Sequence, residues 1–87
     1  MVMKGVILNY ARGKHNQKNH HMLIEIEGVK SREEASRFIG RRIIWKSRTG
    51  KKIMGKIVKP HGEKGIVRAR FDLGLPGHAL GDEVVIR

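Results

Sequence analysis

The sequence contains no cysteine, and this absence excludes both a disulfide scaffold and a zinc site built on thiolates. Apolar runs such as Val6-Ile7-Leu8 are short, whereas a membrane-spanning helix needs about 20 apolar residues. Residues 1–5 also lack the apolar core of a secretory signal. We therefore expect a cytoplasmic protein whose 87 residues, 1–87, form a single domain.

Acidic residues are scarce and are separated from the basic ones. The chain has 8 Asp and Glu against 19 Lys and Arg, which gives a formal net charge of +11. Residues 37–59 include nine basic side chains and no acid, and residues 1–22 include four more, with three histidines. This segregation predicts a basic surface for a polyanion, and nucleic acid is the commonest polyanion in a cell. A membrane partner is not expected, because no basic amphipathic helix is visible.

Alternating apolar and polar residues predict a mainly β fold. Six segments have strand character, at residues 4–11, 22–27, 41–48, 52–59, 66–71 and 83–86. Ser31 and Glu34 have the spacing of a capping box, which predicts a short helix that runs through Ile39 and ends before Gly40. Six short strands in so small a domain favour a closed six-stranded barrel, because closure removes exposed strand edges.

The same alternation places the cations of several segments on the outside of the barrel. Outward positions are predicted for Lys46, Arg48, Lys52, Lys56, Arg68 and Arg70. Phe38, Trp45 and Phe71 fall on predicted core faces, which leaves Tyr10 as the aromatic residue able to stack on a base. Single-strand binders use several exposed aromatic rings, so we expect recognition of the backbone and shape of folded RNA.

Residues 12–21 are predicted to form a polar loop, and three of its residues are histidines, His15, His20 and His21. Zinc sites usually pair histidine with cysteine or a carboxylate at fixed spacing, and neither is nearby, so contact with RNA is the preferred interpretation. No hydroxyl nucleophile is paired with a base, and residues 62–65 lack the spacing of a phosphate-binding loop. We predict no catalytic residue, no metal and no cofactor.

Several segments together resemble a known family, the large-subunit ribosomal protein family L35Ae of archaea and eukaryotes. The segment HGEKGIVRARF at residues 61–71 is the most specific of them. The others, in chain order, are GVILNYARG at 5–13, Asn16-Gln17 with His20, LIEIEGV at 23–29, FIGRR at 38–42, GKIV at 55–58 and LPGHALG at 75–81. Together these segments cover most of the chain.

The resemblance implies a small barrel similar to those of translation factors, bound to large-subunit rRNA beside neighbouring ribosomal proteins and monomeric when free. Family members have also been linked to tRNA binding. The short turn at residues 48–52 and the end at Arg87 favour a compact archaeal member. Two parts of the family pattern carry its expected contacts, the first loop with Tyr10, Arg12, Asn16, Gln17 and His20, and the most specific segment with His61, Gly62, Arg68 and Arg70.

The combined prediction is a structural constituent of the large ribosomal subunit that binds folded rRNA. Two alternatives stay open, an accessory RNA- or tRNA-binding module outside the ribosome and an adaptor for acidic protein partners; an enzyme ranks last. The predicted RNA contacts are Tyr10, Arg12, Lys14, Asn16, Gln17, Lys18, His20, Arg41, Arg42, Lys46, Arg48, Lys52, Lys56, His61, Arg68 and Arg70.

Overall fold

A computed structural model describes residues 3–11 and 20–87 of the chain. The strands are β1 (Met3–Tyr10), β2 (His21–Ile26), β3 (Arg42–Lys46), β4 (Lys52–His61), β5 (Ile66–Phe71) and β6 (Glu83–Ile86). A helix, α1 (Arg32–Ser36), lies between β2 and β3, and a 3-10 helix (Gly77–Ala79) precedes β6. Neither of these described helices has the length and apolar character needed to cross a membrane.

The strands close into a barrel in the order β1-β2-β5-β4-β3-β6, with β6 returning to pair with β1. Every pairing is antiparallel. The pairings of β2 with β5 and of β3 with β6 join strands that are distant in sequence. The predicted fold, a mainly β closed six-stranded barrel with one short helix, is confirmed.

One side of each strand fills the barrel, as the alternation predicts. In β2, Met22 and Ile24 are buried, whereas Glu25 is exposed. Trp45 and Phe71 are among the largest buried side chains, and Phe38 packs against the core while half-buried. The buried indole of Trp45 has a hydrogen-bond partner, because its Nε1 donates to the carboxylate of Asp82 at 3.0 Å.

Strand β4 departs from regular geometry at two positions. A side-chain carbon on Gly55 would collide with the carbonyl oxygen of Arg70 and would lie 2.8 Å from the Cα of Phe71, so only glycine fits at this close approach of two strands. A bulge between Ile57 and Lys59 then shifts the register against β5. Because the extra residue reverses the inside–outside parity, Lys59 is exposed although alternation from Ile57 would direct it into the barrel.

Helix α1 begins at the predicted cap and ends earlier than predicted. The hydroxyl of Ser31 accepts a hydrogen bond from the backbone N–H of Glu34 at 3.2 Å, as a capping box requires. The helix ends at Ser36, and the chain turns over residues 37–40, where Gly40 has a φ of 88°. Ile39 lies in this turn and is 47% exposed, so the prediction that the helix runs through Ile39 is wrong.

Two strand boundaries also differ from the predictions. Strand β3 ends at Lys46 because Ser47 closes a turn, its N–H donating to the carbonyl of Lys51 at 2.7 Å. Arg48 therefore lies in the turn instead of on the strand. Strand β4 extends beyond its predicted end at residue 59 to His61, which pairs with Ile66 of β5.

Candidate nucleic-acid interface

Three cations lie side by side across adjacent strands on the outer face of the barrel. Arg42 of β3 pairs with Lys56 of β4, and Lys56 pairs with Arg70 of β5. All three side chains are exposed. Neighbouring strands lie about 4.8 Å apart, so the three α-carbons span roughly 10 Å. We call these three residues the basic row.

Further cations extend the basic row in both directions along the strands. Lys46 faces Lys52 near the β3–β4 turn, and Lys59 faces Arg68 beyond the bulge in β4. The resulting surface is called the basic platform, and its residues are Arg42, Lys46, Lys52, Lys56, Lys59, Arg68 and Arg70.

The basic platform places like charges directly opposite each other, an arrangement that destabilises a sheet. Within residues 3–11 and 20–87, one ion pair has its charged atoms within 4.0 Å of each other. It joins Lys4 of β1 to Glu83 of β6, and both strands lie outside the platform. The described carboxylates therefore leave the repulsion within the platform uncompensated at that distance. An external polyanion would relieve this repulsion as it binds.

An open groove of about 650 Å³ crosses the basic row. Met54 and Val58 flank Lys56 on β4 and expose 46% and 40% of their surfaces, so the groove is apolar as well as basic. Asp72 is the one acid that lines it. Exposed apolar groups beside cations suit a sugar–phosphate backbone, because ribose presents C–H surface and the phosphates present charge.

Arg68 is more buried than the other cations of the platform. Its position on β5 lies between Leu23 of β2 and Lys59 of β4, and its side chain is half-buried. In the described part of the chain, the buried Nε of its guanidinium has no hydrogen-bond partner. Buried donors are nearly always satisfied, and a phosphate oxygen is an acceptor that Arg binds well.

Tyr10 and His20 stand at the two ends of the segment 12–19. The hydroxyl of Tyr10 donates to the carbonyl of Leu75 at 3.3 Å, and its ring packs partly against the core. The Nδ1 atom of His20 lies 3.0 Å from the carbonyl oxygen of Phe71. Both predicted contact residues thus have intramolecular partners, which fix the chain where this segment leaves and rejoins the barrel.

The other predicted contacts divide into three groups. Those that the basic platform brings together are Arg42, Lys46, Lys52, Lys56, Arg68 and Arg70. Three lie apart: Arg41 stacks 5.3 Å from the Phe38 ring centre, Arg48 lies in the β3–β4 turn, and His61 ends β4. The predicted contacts that lie outside the described residues are Arg12, Lys14, Asn16, Gln17 and Lys18.

Sequence reasoning missed Lys59 as a platform residue. The acid-free run at residues 37–59 includes it, but a regular alternation in β4 would point it inward. The bulge after Ile57 is what brings Lys59 outward beside Arg68. In the described ranges, which leave out His15, no three His, Asp or Glu side chains are grouped so as to hold a metal ion.

Known proteins are similar to this chain over all or nearly all of its length. A sequence model of the family described as Ribosomal protein L35Ae matches residues 1–87. The large ribosomal subunit protein eL33 of the archaeon Methanopyrus kandleri is 53% identical, over 99% of this chain and 97% of its own length. The eL33 proteins of Dictyostelium discoideum and Caenorhabditis elegans are 42% and 31% identical, over 93% and 97% of this chain and 86% and 79% of their own lengths.

These matches test three expectations drawn from the sequence: the family, the cellular location and the prediction that the chain is not an enzyme. The resemblance to the family is confirmed, because the family match spans the whole chain. A ribosomal protein is a structural component of a cytoplasmic particle, so the predicted location and the prediction that the chain is not an enzyme are confirmed too. The chain belongs to the ribosomal protein L35Ae family.

Proposed function

We propose that the chain is a structural constituent of the large ribosomal subunit and that its basic platform binds folded rRNA. The observation that carries this proposal is the basic row, in which Arg42, Lys56 and Arg70 face one another across three hydrogen-bonded strands. The eL33 relatives are named as proteins of the large ribosomal subunit. The cations of the basic platform need an anionic partner of similar extent, and rRNA is the polyanion of the ribosome.

The proposed mechanism is charge neutralisation by a rigid surface. Each phosphate that the platform neutralises releases a condensed counterion, which favours binding and makes it dependent on salt. The platform rests on strands of a closed barrel, so its cations are positioned before RNA arrives and lose little freedom on binding. Arg42, Arg68 and Arg70 can each form forked contacts with phosphate, whereas the lysines contribute point charges.

The segment 12–21 is proposed as the second contact. Arg12, Lys14 and Lys18 add positive charge without an acidic neighbour. Tyr10 and His20 anchor the ends of this segment to Leu75 and Phe71, on the barrel. His21, at the end of this segment, pairs with Arg70 of the platform, so phosphate contacts from the segment would add to those of the platform and favour recognition of shape.

A salt series tests the proposal with two matched lysine pairs. Lys52→Gln with Lys56→Gln removes two platform charges, whereas Lys30→Gln with Lys64→Gln removes two exposed charges outside it. We expect the platform variant to bind large-subunit rRNA more weakly and to reduce the slope of log affinity against log salt by about 2. The control variant should keep the slope of the unmodified protein. Equal slopes for both variants would remove the platform from the interface.

The proposal includes rRNA and neighbouring ribosomal proteins as partners and a monomeric chain when free. Sedimentation of the free protein checks the monomer. Competition between tRNA and rRNA for the same preparation checks whether the platform also binds tRNA. If tRNA displaces rRNA at equal nucleotide concentration, the platform is a surface that binds any folded RNA.

A further inference from the structure

A second cleft lies between the β3–β4 turn and the loop that follows β5. Its volume is about 320 Å³, at the small end of the roughly 300–1,000 Å³ that small-ligand sites occupy. Trp45 and Ile53 are buried and form the apolar floor. Leu73 and His78 stand at the rim, where both are exposed.

We propose that this cleft binds the base of one unpaired RNA nucleotide, with the adjoining phosphates held by Arg48 and Lys51. The inference rests on the proposed function, because it takes RNA to be the ligand of the neighbouring platform. It adds a site that recognises an unstacked base, whereas the platform recognises backbone. None of the sequence patterns indicated this cleft, since its two walls come from segments far apart in the chain.

The rim of the cleft offers surface on which a base can stack. Leu73 is 53% exposed, the largest exposed fraction among the large apolar side chains of the described residues. The exposed His78 ring lines the cleft and lies 6.1 Å from the Trp45 ring, tilted by 49° to it, so the two rings are aromatic neighbours within one site. Flat bases gain stacking and apolar contact on such surfaces.

The charge of the cleft favours a nucleotide over an uncharged peptide. Arg48 and Lys51 are exposed at its mouth, and none of the residues that line it is acidic. Lys46 and Lys52, the last pair of the basic platform, sit next to this turn on β3 and β4. An RNA strand that follows the platform therefore reaches the cleft without crossing an acidic side chain of either strand.

Both walls of the cleft are fixed by hydrogen bonds. In the β3–β4 turn, the N–H of Lys51 donates to the hydroxyl of Ser47 at 3.0 Å, and the N–H of Gly50 donates to the carbonyl of Ser47 at 3.0 Å. On the opposite wall, the carbonyl of Pro76 accepts a hydrogen bond from the N–H of Ala79 at 3.0 Å. Asp82, which does not line the cleft, holds Trp45 of the floor by accepting from its Nε1 at 3.0 Å. A ligand would therefore enter a formed site and lose less free energy to ordering.

The turn also retains a hydrogen-bond donor for the ligand. The hydroxyls of Ser47 and Thr49 are 2.9 Å apart, and one of their two protons makes that bond. The other proton has no acceptor within this pair, whichever hydroxyl is the donor. It can be donated to a ring nitrogen or carbonyl oxygen on the edge of a bound base.

Trp45 is the only tryptophan of the chain and lies in the floor, so its fluorescence reports occupancy directly. We expect pentaadenylate to change this fluorescence saturably and tripolyphosphate, which has charge and no base, to leave it unchanged. Leu73→Ser should raise the Kd of pentaadenylate by about fivefold or more, because the bound base loses apolar contact with the leucine side chain. Leu80→Ser, an exposed leucine outside the cleft, is the matched control and should not change it.

A blunt RNA duplex of about 12 base pairs separates this inference from the proposed function, because it lacks an unpaired base. Leu73→Ser should leave the duplex affinity unchanged, and Lys52→Gln with Lys56→Gln should lower it. If the platform variant weakens duplex binding while Leu73→Ser leaves the pentaadenylate Kd unchanged, the cleft proposal is overturned and the platform proposal stands. An equal fluorescence response to tripolyphosphate, or displacement of pentaadenylate by an equimolar proline-rich peptide, would also overturn it.

Discussion

Replacing Lys56 by Gln should stabilise the fold and weaken RNA binding at the same time. Lys56 faces Arg42 on one side and Arg70 on the other, so one substitution removes two repulsive cross-strand pairs. Each pair of this kind contributes a few tenths of a kcal/mol, which gives a gain of about 0.5–1 kcal/mol in the free energy of unfolding. For a domain of this size the gain corresponds to a rise in Tm of about 2–8 °C.

The assay is thermal unfolding of the purified protein at low and high salt. The gain from Lys56→Gln should shrink at high salt, because the Debye length falls from about 10 Å at 0.1 M to about 3 Å at 1 M. Lys30→Gln is the control, since Lys30 is exposed and lies outside the strands. The rRNA affinity of the Lys56 variant, measured in parallel, should decrease. An unchanged or lower Tm at low salt would refute the argument that the basic row is held under repulsion.

Three further predictions test the interface, the barrel and the helix. Arg68→Glu with Arg70→Glu should weaken rRNA binding and flatten its salt dependence while circular dichroism still reports a folded barrel; unchanged binding would exclude β5 from the interface. Gly55→Ala should lower the free energy of unfolding by about 1–3 kcal/mol in a urea titration, because the added methyl meets the backbone of Arg70, and an unchanged midpoint would contradict that close contact. Ser31→Ala should lower the same quantity by about 1 kcal/mol through loss of the bond from the Glu34 N–H, and no loss would mean that the cap contributes little.

Much of the fold could be predicted because strand periodicity is a local property of the sequence. The period of two in Met22, Ile24 and Ile26 identified β2 and its buried face, and the same period in Val67, Ala69 and Phe71 identified β5. Closure followed from a general argument about exposed edges and required no knowledge of which strands pair. The early end of α1 was not predicted, because the spacing of Ala35 and Ile39 fits a longer helix as well as a short one.

The basic platform was predicted in part. Strand alternation indicated that Lys56, Arg68 and Arg70 point outward, and they do. That Lys56 lies between Arg42 and Arg70 depends on register, which periodicity alone does not determine. Lys59 was not predicted to belong to the platform, because the bulge that changes its register has no clear signal in the flanking residues.

The cleft at the β3–β4 turn shows a different limit of sequence reasoning. Trp45 and His78 are separated by a long stretch of chain, and only the closed barrel brings their rings within 6.1 Å. His78 lies in the 3-10 helix that precedes β6. Its position against Trp45 follows from the β3–β6 pairing, in which Trp45 faces Val84.

The central claim is that this chain is held in the large ribosomal subunit through RNA. Sucrose-gradient fractionation of native cell extract at low and high salt, with the chain followed by mass spectrometry, tests it most directly when a nuclease-treated sample is run in parallel. We predict stoichiometric co-migration with the large subunit that survives moderate salt and is lost after nuclease treatment. Protein at the top of the untreated gradient, or a complex that nuclease leaves intact, would contradict this account.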